Sequence, residues 1–350
     1  MAYLVTGATG FIGRFLVPEL LRRGEDVHVL VRAGSERKLA NRAAQWGSPE
    51  LVHPVVGDLA QPALGIDREW IDEHRGRIDR MFHLAAIYDM TASDEDNERL
   101  NNGGTRNAVE VANRLEVGSL HHTSSVAAAG LYEGVFTEDM FDEGQELPSP
   151  YHRTKFESER IVRRECARPW RVYRPSIVVG HSKTGEMDKI DGPYYFFRAL
   201  RAAGRIPNRI PLLVPDLGET NVVPVDYVAK AMDQIAHVPD LDGCAFHLVN
   251  PEPQKTIDVM NLFADEASAP HLRAVLPHPA MTLAMRIPGV QRIVAPALGV
   301  PAEVIEHTEF TCRFDSTRTV AALAGTDVSV PPIESYAGEL WRYWLYNLAD

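Results

Sequence analysis

Gly7, Gly10 and Gly13 punctuate the start of the chain and constrain its fold more than any other feature. The run Tyr3 to Val5 before them is apolar and of strand type, and Thr6-Gly7-Ala8-Thr9-Gly10-Phe11-Ile12-Gly13 follows at once. From Arg14 to Arg23, Phe15, Val17, Leu20 and Leu21 keep helical spacing; Gly24 ends the helix and Val27 to Val31 reads as a second strand. A strand, a glycine turn, a helix and a strand in this order predict a βαβ unit and a parallel sheet. In that setting the first glycine permits the tight turn, the second lets a pyrophosphate approach the backbone, and the third allows helix and strand to pack closely. The N–H groups and dipole at the helix N-terminus then face the anion. A bland glycine-rich turn explains the glycines alone, but not the elements on either side of them.

The second strand ends in Leu30-Val31-Arg32, with Arg37, Lys38 and Arg42 following. An acidic residue there would suit the ribose hydroxyls of NAD, whereas a guanidinium grips the 2′-phosphate of NADP. The reading adopted is NADP(H), held in part by Arg32; the alternative is a solvated basic loop. Leu51 to Val56 reads as a third strand ending in Gly57-Asp58-Leu59, and Met81 to Leu84 as a fourth closed by Ala85-Ala86, small residues that leave room for a cofactor.

Ser119 to Thr123 is a fifth strand that delivers Ser124-Ser125 and small apolar residues up to Gly130. Further on, Ser149 caps a predicted helix, Pro150 suits its first turn, and Tyr151 and Lys155 fall at i and i+4 on one face. This geometry suits hydride chemistry on a carbonyl. Tyr151 exchanges a proton with the carbonyl oxygen, Lys155 holds the nicotinamide ribose and favours the phenolate by its charge, and Ser125 hydrogen-bonds the same oxygen. A lone Tyr-x-x-x-Lys is weak evidence; its place after the glycine turn and the serine strand gives it weight.

The Gly-x-x-Gly-x-x-Gly spacing, led by Thr6-Gly7 and closed by Phe11-Ile12-Gly13, resembles the extended short-chain dehydrogenase/reductase family. The resemblance implies a Rossmann-type doubly wound parallel α/β sheet with a smaller, discontinuous C-terminal substrate lobe. It also implies a cofactor site of Gly7, Thr9, Gly10, Phe11, Ile12, Gly13, Arg32, Asp58, Leu59, Leu84, Ala85, Ala86, Asn101, Lys155, Pro175 and Ile177. In the family an acid matching Asp58 lies beside the adenine, and an asparagine matching Asn101 is structural and close to the cofactor. Ser125 stands at the family's offset before Gly130 and is preferred to Ser124. Arg171 to Gly180 reads as a sixth strand with the family's Arg-Pro hallmark, which would bring Pro175 and Ile177 near the nicotinamide.

Beyond Gly180 the alternation of strand and helix gives way to Pro-broken segments. Val223 to Ala229 matches a helix start of the extended family. The expected organisation is therefore an NADP-binding domain of residues 1–180 and 220–249 and a substrate-binding lobe of 181–219 and 250–350. Tyr194-Tyr195-Phe196-Phe197 and the apolar stretch from Leu272 to Val304 look able to hold a greasy substrate, although lobe core is an equal reading. Thr184 to Phe197, His83 to Asp89, Phe314 to Arg318 and Ser335 to Ala337 with Trp341 and Trp344 resemble the N-terminal half of bacterial two-domain fatty acyl-CoA reductases. Those enzymes are related to thioester reductases and to the reductase domains of carboxylic acid reductases. The resemblance implies a long-chain acyl or aldehyde substrate, including acyl-CoA; full-length members continue into a second reductase domain whereas this sequence stops at Asp350, so the expectation is either a fused or partner second domain or a single-domain relative.

Composition narrows the field further. A formal net charge of −12 argues against nucleic acid as a partner. Cys166, Cys244 and Cys312 are far apart, so no metal site and no disulfide framework is expected, and a reducing cytoplasm fits. No apolar run reaches the roughly 20 residues of a membrane span, which leaves peripheral membrane contact open. The leading expectation is an NADPH-dependent reductase of long-chain acyl thioesters or aldehydes. The alternatives are an NAD-dependent sugar-nucleotide epimerase or dehydratase, and a non-catalytic NADP(H) sensor.

Overall fold

Short apolar runs separated by glycine turns and amphipathic helices build a seven-stranded sheet. The structure, a computed structural model, describes residues 2–85, 98–187, 192–207, 211–216, 218–276 and 312–349. The strands are β1 (Ala2–Thr6), β2 (Asp26–Val31), β3 (Val52–Val56), β4 (Arg80–His83), β5 (Ser119–Thr123), β6 (Trp170–Pro175) and β7 (Cys244–Leu248). Their order across the sheet is β7-β6-β5-β4-β1-β2-β3. Every neighbouring pair is parallel. The order reverses between β1 and β4, and in such sheets ligands bind in the crevice at that switch point.

Alternation along the strands sends side chains to both faces. Leu4, Met81, Leu120, Val172 and Ala245 join a buried cluster with residues of α3 (Arg68–His74), α4 (Gly104–Arg114) and α5 (Pro150–Glu165). Each large aliphatic side chain removed from water there is worth roughly 1.5–3 kcal/mol. The opposite face carries a row of rings. Tyr3 meets Phe82 at 6.2 Å, Phe82 stacks on His121 at 4.7 Å, His121 on Tyr173 at 5.9 Å, and Tyr173 on Phe246 at 5.8 Å. Helix α6 (Val225–His237) lies over this row: Tyr3 Oη and His237 Nε2 are 2.9 Å apart, and the Tyr173 hydroxyl donates to Met232 O at 3.5 Å. Helix α1 (Gly13–Leu21) packs beside α6, with Arg23, just past its end, forked onto Asp233 at 2.7 and 2.8 Å.

The chain divides into two compact units, residues 1–176, 225–249 and 314–329 in one and 177–224, 250–313 and 330–350 in the other. The long sixth strand expected from Arg171 to Gly180 is two strands. Ser176 N–H bonds Leu248 O and continues the main sheet, whereas Ile177 N–H bonds Asn221 O. Ile177–Val179 then pairs with Val222–Pro224 in the second unit, which draws residues 220–224 there also. Residues 314–329, placed by the sequence in the substrate lobe, lie in the first unit. Buried Glu138 accounts for it: its carboxylate accepts Arg318 N–H at 2.6 Å, Thr319 N–H at 3.1 Å and the Thr319 hydroxyl at 2.6 Å.

The second unit packs helices Phe197–Ala203, Thr256–Glu266 and Ala337–Asn347 around a core of its own. Phe197 lies 4.6 Å from Phe263, 5.0 Å from Trp341 and 5.4 Å from Trp344 between ring centroids. Phe197 and Tyr194 are therefore core residues here rather than a free apolar surface, and the Tyr194 hydroxyl accepts Gly180 N–H at 2.7 Å. Of the apolar stretch Leu272 to Val304, residues 277–304 lie outside the described residues.

Candidate functional site

The glycine turn stands at the switch point between β1 and β4. Gly7 has φ +74°, and a Cβ on it would lie 2.7 Å from Ala85 N, so only glycine lets the two strand ends meet. A Cβ on Gly13 would lie 2.2 Å from Gly7 O, which couples the start of α1 to the turn. Gly10 differs: the one atom that a Cβ there would meet within 4 Å is Gly7 O, at 3.2 Å. Apart from that one oxygen the middle glycine is exposed. Helix α1 begins beyond it with no side-chain cap and no acid in its first turn. A concave turn, a bare helix N-terminus and an open middle glycine fit a dinucleotide pyrophosphate.

The other residues expected at the cofactor are placed as follows. Thr9 is exposed, and Phe11 and Ile12 are half-buried. Leu84 N–H donates to Thr6 O at 3.2 Å and Ala85 N–H to Thr6 Oγ1 at 3.4 Å; Ala86 lies outside the described residues. Arg32 is exposed just past β2, and Arg37 and Lys38 are exposed in the first turn of α2 (Glu36–Trp46). Asp58 Oδ1 accepts Ala60 N–H at 2.9 Å, and Leu59 O accepts Asn107 Nδ2 at 2.8 Å. Asn101 is buried within a π-helical turn, Glu98–Gly103, that runs directly into α4; such turns are frequent at functional sites. Pro175 ends β6, and Ile177 begins the neighbouring strand of the second unit.

Ser125 follows β5 and caps a 3₁₀ turn, Val126–Ala129, its Oγ accepting Ala127 N–H at 3.2 Å. That bond uses the oxygen as acceptor and leaves the hydroxyl hydrogen for another partner. Helix α5 packs against this turn. It opens with Pro150 behind Ser149, whose Oγ accepts His152 N–H at 3.4 Å. Lys155, one turn beyond Tyr151, is buried, and its amine donates to Thr123 O at 3.4 Å. Burial lowers that amine from its usual 10.5 to about 8. Ser125 and Lys155 thus converge on the carboxyl end of β5, with Tyr151 half-buried on the first turn of α5.

A family model described as Male sterility protein, of NAD-binding type, matches residues 5–232. The chain belongs to that family. A linear gramicidin synthase of Brevibacillus parabrevis is 29% identical to this member over 267 residues, 71% of the chain and 5% of that protein. Aldehyde reductase lnbA of Aspergillus flavus is 29% identical over 291 residues, 76% of the chain and 28% of that protein. The chain thus spans well under two thirds of these relatives' length. The solved terminal R domain from the myxalamid PKS-NRPS biosynthetic pathway is similar over 99% of the chain and 90% of that domain, with TM-score 0.78 and 26% identity. This member of the family has the extended short-chain dehydrogenase/reductase fold, an oxidoreductase fold.

Two groups beside the site escaped the reading of the sequence. His83 closes β4 with Nδ1 2.8 Å from Thr6 Oγ1 and Nε2 3.2 Å from Thr105 Oγ1, pinning the ends of β1 and β4 to α4. Burial first, and then the charge of Lys155, lower its imidazole to about 3, so the ring is neutral. The other group is Glu159 with Arg174. Glu159 follows Lys155 at i+4, a visible signal, but its partner is set by tertiary packing. Among the described residues of this family member no cluster of His, Cys, Asp or Glu is arranged for a metal, and no helix is long and apolar enough to cross a membrane.

Proposed function

We propose that the chain is an NADPH-dependent reductase of the carbonyl of a long-chain fatty aldehyde or fatty acyl thioester. The observation that carries this reading is the convergence of Ser125 and Lys155 on the end of β5, on the same side of the parallel sheet as the Gly7–Gly13 turn. When bound, the reduced nicotinamide supplies a hydride to the carbonyl carbon.

Ser125 donates its free hydroxyl hydrogen to the substrate oxygen and orients it. Preorganised donors of this kind are worth several kcal/mol in the transition state. Tyr151 transfers its phenolic proton to that oxygen as negative charge develops there. Lys155 holds the nicotinamide ribose and favours the resulting phenolate by its charge. With an aldehyde the product is an alcohol. With a thioester, hydride addition gives a hemithioacetal whose C–S bond then breaks, releasing a thiol and an aldehyde.

NADPH is supported by the exposed cations Arg32, Arg37 and Lys38 around the end of β2. On this reading Asp58 and Leu59 border the adenine, and Leu84, Ala85, Asn101 and Pro175 line the path to the nicotinamide. The substrate class rests on the resemblance to fatty acyl-CoA reductases. The likeness to an R domain and to an aldehyde reductase supports a reducible carbonyl. The much greater length of the curated relatives supports a fused or partner domain.

The test is NADPH oxidation by purified protein with a long-chain aldehyde and, separately, with the matching acyl-CoA. Turnover with either supports the reading and names the step. Silence with both, in protein shown to bind NADPH, overturns it.

A further inference from the structure

Tyr151, Lys155 and Glu159 follow one another at i+4 intervals on one face of α5. The first two belong to the proposed chemistry; the third touches neither substrate nor cofactor in it. Glu159 and Arg174 both have 0% side-chain exposure. The pair is bidentate: Arg174 Nε donates to Glu159 Oε2 at 3.0 Å and Nη2 to Oε1 at 2.6 Å. Arg174 also donates from Nη2 to Met140 O at 2.9 Å, and its Nη1 lies 3.1 Å from His247 Nε2. His247 Nδ1 is 2.6 Å from Asp315 O, so its proton sits on Nδ1 and Nε2 accepts from Arg174. Arg163, on the next turn of α5, adds a bond to Glu159 Oε1 at 2.9 Å.

Stability alone does not explain this arrangement. Replacing a buried ion pair by packed hydrophobic residues is often neutral or stabilising. A forked pair does something an apolar contact does not: it admits one rotation of α5 about its axis. Arg174 stands on β6 beside β5, whose end leads to Ser125. The pair therefore refers the roll of α5 to the sheet that carries its partner serine.

The pair also governs charge. Burial alone would raise the Glu159 carboxyl, but Arg174 and then Arg163 hold it down at about 2. Its anion is consumed by these two cations, and the Lys155 amine is bonded to Thr123 O instead. Among the described residues, the titratable groups around Lys155 are Tyr151 and Glu159 on its own helix, His83 on β4 and His122 on β5. Both histidines are buried and neutral, their imidazoles pushed far down, chiefly by burial.

Resting on the function proposed above, we propose that Arg174 and Glu159 are positioning residues for Tyr151 and Lys155, fixing the roll of α5 and withholding the Glu159 charge from Lys155.

The test combines three variants with two readouts, turnover and direct titration of the Lys155 amine by NMR on lysine-labelled protein, assigned through Lys155→Arg. The double variant E159M/R174M leaves Arg163 without its carboxylate, so its thermal midpoint should fall; assayed where it is still folded, it should lose about 10- to 100-fold in kcat, with KM little changed, because a misplacement of about 1 Å costs that much. R174K keeps the charge and loses the fork; its kcat should fall while the Lys155 titration stays put. E159Q keeps the shape and leaves two cations uncompensated; its Lys155 titration should move to lower pH. A double variant with wild-type kcat, or an E159Q variant with an unmoved Lys155 titration, would overturn the proposal. The titration needs no substrate, so it still decides if the wild-type protein turns over no carbonyl compound, an outcome that counts against the functional reading instead.

Discussion

Lys155 Nζ lies 3.4 Å from the carbonyl oxygen of Thr123, so a buried amine on α5 is moored to the last residue of β5. One bond thereby relates the helix that bears Tyr151 to the strand end that leads into Ser125. The amine is buried as well, and burial lowers it to about 8.

That value sets a pH limit on reduction. Lys155 is a cation below about 8 and loses its charge as pH rises through that value. Because the proposed reaction uses the cation, kcat/KM for reduction should be level near neutrality and fall above about pH 8, approaching tenfold per pH unit. Lys155→Met should remove this limb and lower kcat throughout. A profile that is flat to strongly alkaline pH would exclude the role given to the amine.

Arg32 should decide between the two nicotinamide cofactors. In Arg32→Glu the 2′-phosphate meets an anion, while the ribose hydroxyls of NADH gain an acceptor. The ratio of kcat/KM for NADPH over NADH should fall by at least about tenfold, the equivalent of one charge-assisted hydrogen bond. Steady-state kinetics with both cofactors measures it; an unchanged ratio would return Arg32 to the solvated surface.

Gly13→Ala places a Cβ 2.2 Å from Gly7 O, a contact that neither backbone can relieve without moving the turn. NADPH binding, measured by fluorescence titration, should weaken by about a hundredfold or fail. Gly24→Ala is the control: Gly24 has φ +76° with open space around it, so the cost there is backbone strain alone and cofactor affinity should persist.

Acid should destabilise the fold through its buried histidines. His83 and His247 are each lowered to about 3, mainly by burial. For a depressed histidine the unfolded chain takes up the proton first. Stability is therefore complete above about pH 6.5 and drains away as pH falls toward 3. Between pH 8 and pH 5 each should cost roughly 2 kcal/mol. Urea unfolding at these two values measures the sum, to which buried His121 and His122 add in the same direction, and His83→Gln should flatten part of the dependence.

Much of this was readable in the order of residues because the determinants are local. The turn between β1 and α1 announces itself through Gly7, Gly10 and Gly13, and α5 through Ser149 and Pro150, since each relies on neighbours a few positions away. What escaped depends on distant partners. Arg171 to Gly180 reads as one strand, yet the ladder changes partner at Ser176, where Leu248 O gives way to Asn221 O for the next residue. The return of residues 314–329 hangs on Glu138, a single buried carboxylate far back along the chain. The π-helical turn holding Asn101 has no periodic signature, and the Glu159–Arg174 pair joins a helix to a strand that only the folded sheet brings together.

In the proposed reaction Tyr151 and Lys155 serve hydride delivery to a carbonyl carbon. The most direct test incubates the protein with 4-deuterated NADPH and a long-chain aldehyde or acyl-CoA, then locates the label by mass spectrometry. The mechanism requires one deuteron on the former carbonyl carbon of the product. It also requires turnover lower by about 10² to 10⁴ in Tyr151→Phe, with the variant still folded and binding NADPH. Unlabelled product, or a Tyr151→Phe variant that turns over like the wild type, would contradict it.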